Sequence, residues 1–67
     1  MKMRYGDILI TKRPVLLWVS FEENNAKDLA NGEFVIFVRD EGLGKGIYVV
    51  SRLGPGNMNP LDVRNIM

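Results

Sequence analysis

The sequence predicts a β-rich fold: a small or partly open β-barrel of about five strands, with a short helix or ordered loop near residues 21–30. Three observations predict it. Short apolar runs alternate with a two-residue period, glycine- and proline-rich segments separate them, and one polar stretch in between breaks the alternation. Sixty-seven residues make one small domain, in which folding buries only about 60% of the unfolded chain's surface. The chain has neither cysteine nor histidine, so no disulfide or conventional zinc site can reinforce it. Efficient packing or oligomerisation must supply the missing stability. The hydrophobic fraction of 46% is enough for a real core and argues against disorder along the whole chain.

Residues 5–11, YGDILIT, read as the first strand after a basic terminus. Pro14 lacks an amide donor and extends the residue before it, which places it at a turn, a strand start or an edge. VLLWV at residues 15–19 follows as the second strand, with Val15, Leu17 and Val19 on one face and Leu16 and Trp18 on the other. Both faces therefore ask for cover.

In SFEENNAKDLANG, Ser20 and Glu23 have capping-box spacing. Asn31-Gly32 offers a helix stop. A short helix is expected here, with a polar loop containing one helical turn as the alternative, because Asn24 and Asn25 are mediocre helix formers.

EFVIFVRD at residues 33–40 is the strongest strand signal. Phe34, Ile36 and Val38 form a fully apolar face, and Glu33, Val35, Phe37 and Arg39 a mixed one. GIYVVSR at residues 46–52 supplies the next strand, and EGLGKG between the two reads as an antiparallel hairpin loop whose glycines accept positive φ. LGPGNMNP reads as a second connection. Pro60 then opens a short helical turn, and residues 63–66 return to the sheet. This order of elements resembles an SH3-like barrel, with another small α+β sheet as the rival. The ALYDY-type and acidic-loop features of peptide-binding SH3 domains are absent, so polyproline recognition does not carry over.

The chemistry of the chain points to binding. EGLGKG resembles the end of a phosphate-binding loop, but Lys45 is followed by Gly46 and a strand, with no adjacent hydroxyl and no helix amino terminus. The carboxylate pairs Glu22-Glu23 and Asp40-Glu41 match neither a calcium loop nor a catalytic dyad by spacing. A non-enzymatic protein without metal or cofactor is expected. No apolar run reaches membrane-spanning length and MKMRYGD lacks a secretory signal's apolar segment, so a cytoplasmic location without membrane contact is expected.

Net charge is +1, but its distribution is uneven: residues 1–13 balance at +3 and residues 22–41 at −4. Two binding modes follow. The first is a protein-interaction module, as a small regulatory or inhibitory protein that also self-associates, with Leu16, Trp18, Val35 and Phe37 as interface candidates. The second is nucleic-acid binding to RNA or DNA, with Arg4, Lys12, Arg13, Lys45 and Arg52 for phosphates and Tyr5 and Tyr48 for base stacking, joined by Trp18.

Overall fold

A computed structural model of the chain describes residues 2–19 and 26–66. Among these residues the fold is β-rich, with seven strands: β1 (Ile8–Thr11), β2 (Val15–Val19), β3 (Ala26–Leu29), β4 (Phe34–Asp40), β5 (Ile47–Ser51), β6 (Gly54–Met58) and β7 (Val63–Asn65). All the strand pairings are antiparallel, in one open sheet of order β3-β2-β6-β5-β4-β1-β7. The strands number seven, above the expected five. No described helix is long and apolar enough to cross a membrane.

Two expectations fail here, each for a physical reason. The stretch expected to be helical instead places Ala26–Leu29 in β3, where it pairs with the strongly β-forming VLLWV run: Val15 lies opposite Leu29 and Trp18 opposite Ala26. Tertiary pairing overrides the weak local helix signal. Ser20 and Glu23, the expected capping box, lie outside the described residues. The expected Gly/Pro-rich connection is a central strand, β6, held between β2 and β5. Pro55 lies in β6 opposite Val50 of β5, and the described pairs between β2 and β6 are Trp18 with Asn57 and Val19 with Gly56. The turn at Pro60 forms as expected, a short 3-10 helix over Pro60–Asp62 capped by the Asn59 side chain, which accepts from the Leu61 amide.

The sheet is curled. Its Cα extents of 30 × 24 × 18 Å are too thick for a flat single layer, and the radius of gyration of 10.6 Å is near the roughly 11 Å of a compact chain this long. Curling lets residues from every strand share one core: Leu9, Leu17, Leu29, Val35, Val49, Met58 and Val63 all lie in one buried cluster. Glycine permits a close approach of β6 to β2, because a Cβ on Gly56 would stand 2.5 Å from the Trp18 carbonyl oxygen and 3.0 Å from Leu17 Cγ.

Buried Thr11 ties the far side of the sheet together. Its hydroxyl donates to the Ala30 carbonyl (2.6 Å) and accepts from the Glu33 amide (2.9 Å), while its backbone bonds Gly32 and Glu33. The segment leaving edge strand β3 is thereby fastened to β1. Thr11→Val keeps the shape and removes both hydroxyl bonds, so it is expected to cost about 1–3 kcal/mol in denaturant unfolding, whereas Thr11→Ser keeps the hydroxyl and is expected to avoid most of that loss.

Candidate functional site

The sheet has one inward face and one outward face, and apolar side chains stand on both. Strand register aligns the outward side chains into rows. Ile8 lies opposite Ile36, Ile36 opposite Val50, and Val50 opposite Pro55, so four neighbouring strands present one apolar row. Ile66 extends it, since its amide donates to the Ile8 carbonyl. A second row sets Arg64 opposite Ile10 and Ile10 opposite Phe34. Phe34 is 61% exposed, Ile36 46% and Val50 42%, and Ile8 and Ile10 are half-buried. These side chains form the candidate site.

A third outward row runs Arg39, Tyr48, Asn57, Trp18 across β4, β5, β6 and β2. The Arg39 guanidinium sits 4.4 Å from the Tyr48 ring centroid, a cation–π stack. Beyond this row, Leu16 and Trp18 border a groove of about 950 Å³ that also takes in Leu43, Lys45, Asn57 and Leu61.

The structure redistributes the interface candidates. Leu16 and Trp18 are half exposed, on the groove side. Val35 and Phe37 are buried in the core, 1% and 6% exposed, which corrects their assignment to an interface. In β4 both alternating sets contain large apolar residues, and pairing of Val35 with Leu9 and Phe37 with Val49 turns the mixed set inward. Phe34 and Ile36 point out in their place, and sequence reasoning missed them together with Ile8, Ile10 and Val50. The signal was present as a strand apolar on both faces in a chain too short to cover both.

The nucleic-acid candidates do not form one cluster. Arg4 and Tyr5 are exposed in an N-terminal turn closed by the Asp7 amide on the Arg4 carbonyl. Lys12 and Arg13 are exposed at the bend after β1, and Arg13 pairs with Asp62 at 3.2 Å. Lys45 lies in the β4–β5 hairpin loop, where the Lys45 amide donates to the Gly42 carbonyl and β5 follows directly. Tyr48 is stacked under Arg39, and Arg52 is engaged with Glu33 through two guanidinium contacts.

The Arg52 guanidinium holds the Glu33 carboxyl below the usual carboxylate range, the Ala30 amide adds to this and desolvation opposes it. Folded protein therefore binds the Glu33 proton less readily than unfolded chain. The stabilisation is present above the ordinary glutamate range and is lost as pH falls through the lowered value. Arg52→Met is expected to flatten acid sensitivity in that window, with wild type and variant converging at lower pH when denaturation midpoints are compared.

The chain matches no protein-family model, no curated protein and no solved structure.

Proposed function

We propose that the protein is a small non-enzymatic protein-interaction module that works by burying its outward sheet face against a protein partner, in a regulatory or inhibitory role. The observation that supports this most is the apolar row Ile8, Ile36, Val50 with Phe34 and Ile10 beside it, left exposed or half-exposed among the described residues. Contiguous apolar patches of this kind on small domains mark interaction sites, because leaving them in water forgoes burial and invites non-specific association. Charged residues flank the patch as a rim: Arg64 ends one row, and the Glu33–Arg52 pair stands next to Phe34 in sequence and at the end of β5. An apolar centre with a polar rim is the ordinary anatomy of a protein interface.

The fold is read as SH3-like by analogy of short strands curled about one core, and the analogy contributes nothing to the choice of partner. A cytoplasmic setting belongs to the same proposal.

Nucleic-acid binding is the second reading, favoured by one observation. Arg39 stacked on Tyr48, in the row that leads through Asn57 to half-exposed Trp18, is a basic and aromatic strip suited to stacking on single-stranded bases.

Amide-resolved NMR separates the two. Addition of short RNA or DNA is expected to leave the spectrum unchanged, whereas a captured protein partner shifts Ile8, Phe34, Ile36 and Val50. Salt-sensitive shifts at Arg39, Tyr48 and Trp18 on adding nucleic acid would reverse the order of the readings. Capture of that partner by immobilised protein is expected to be lost with Phe34→Asp and kept with Lys45→Ala.

A further inference from the structure

We infer that the occupant of the outward face is a second copy of this chain, packed sheet against sheet about a two-fold axis. The inference rests on the reading of that face as a protein-binding surface and adds the identity of the partner.

Three observations favour a second copy over an unrelated protein. The first is electrostatic. A two-fold contact sets a patch against itself, so a patch of one strong sign repels its own copy. Here the neighbouring charges are largely neutralised within the chain, Arg52 by Glu33 and Arg39 by Glu41, and Arg64 stands at the end of its row where a rim cation keeps its water. With Arg64 the one rim cation named beside these pairs, the face carries no block of one sign that would select an oppositely charged partner or exclude its own copy.

The second is area. The molecule exposes 4572 Å². A standard interface takes about 800 Å² from each partner, roughly one sixth of this surface, so a dimer contact of standard size can be supplied by one face of so small a molecule.

The third is the stability demand of a small chain. With 67 residues and no disulfide or zinc site, one core leaves the monomer marginal. Face-to-face packing turns two half-covered sheets into a sandwich, with the inner faces about 10 Å apart and Phe34, Ile36 and Val50 of each copy interdigitating between them. The burial that the monomer leaves undone is thus completed by the same surface in its twin.

Sedimentation equilibrium of the full chain tests this, with Phe34→Asp and Val50→Lys as face variants, Leu61→Asp as a groove control, and circular dichroism to establish that each is folded. Wild type and Leu61→Asp are expected to approach twice the 7.6 kDa chain mass as concentration rises. Each folded face variant is expected to weaken dimerisation by at least about 30-fold, the loss typical of a central interface residue. A wild-type monomer at every concentration overturns the second copy while leaving the protein-binding reading to its capture experiment. A dimer unchanged in both folded face variants overturns this inference and also removes the face from the proposed function. A dimer lost only in Leu61→Asp moves the contact to the groove and overturns the inference as well.

Discussion

Leu17→Ala is expected to lower the stability of the fold by about 2–5 kcal/mol, the largest effect of any single truncation considered, because the site is fully buried and cannot collapse freely. Leu17 comes from β2, which joins edge strand β3 to the rest of the sheet through β6. Its side chain lies against the backbone of Gly56, close enough that an added Cβ there would be 3.0 Å from Leu17 Cγ. Small domains have little stability in reserve, so a loss of this size approaches the whole of it. Denaturant unfolding followed by far-UV circular dichroism measures the effect, and a variant that falls by less than about 1 kcal/mol contradicts the packing described for β2.

Gly56→Ala is expected to cost about 3 kcal/mol, the upper end of the overpacking range, although it adds one methyl group. Two neighbours stand in the way, and they differ in what they can yield. Leu17 can change rotamer, but the Trp18 carbonyl oxygen, 2.5 Å from the added Cβ, is backbone in the next strand. Relief requires β2 and β6 to separate, which detaches β3 and β2 from the other five strands. Combining the two changes should therefore be non-additive. Gly56→Ala in the Leu17→Ala background should cost less than alone, since one obstacle is gone, and should still destabilise, since the carbonyl remains. A cycle with no coupling contradicts contact between these residues. Gly44, with φ +69° and no heavy atom near its added Cβ, gives a comparison in which only backbone strain of about 1–2 kcal/mol applies.

The sequence made some of this architecture readable and hid the rest for identifiable reasons. In VLLWV one alternating set contains three aliphatics and the other includes Trp18, and the structure buries the former and exposes the latter. Pro60 marked the helical turn, since its fixed φ suits a first helical position and the following residues return to β7. EGLGKG was legible as a hairpin loop because a strand follows it at once. In β4, by contrast, alternation could not choose a face. Both sets contain large apolar residues, and the choice was made by long-range register, Leu9 against Val35 and Val49 against Phe37, information that local pattern does not contain.

β3 and β6 were hidden by composition. Ala26–Leu29 lacks β-branched residues, and its strand state comes from β2 beside it. GPGNM has the composition of a turn, yet Gly56 is required where Trp18 and Leu17 close on it. The outward patch follows from the same mistake in β4: once Val35 and Phe37 turn inward, Phe34 and Ile36 must turn outward. Its neighbours Ile8 and Val50 are then aligned with it by pairing.

The central claim is that the outward face, carried by Ile8, Ile10, Phe34, Ile36 and Val50, is buried against protein when the molecule works. Methyl-resolved NMR with a soluble paramagnetic agent tests it directly, comparing dilute protein with protein at assembly concentration or bound to its captured partner. The account predicts that the methyls of Ile8, Ile10, Ile36 and Val50 relax strongly in the dilute state and are shielded on association, while Leu43 and Leu61 stay accessible in both and Val35 stays shielded in both. Association that leaves the methyls of these four outward residues as accessible as before, or shields Leu43 and Leu61 in their place, would contradict it.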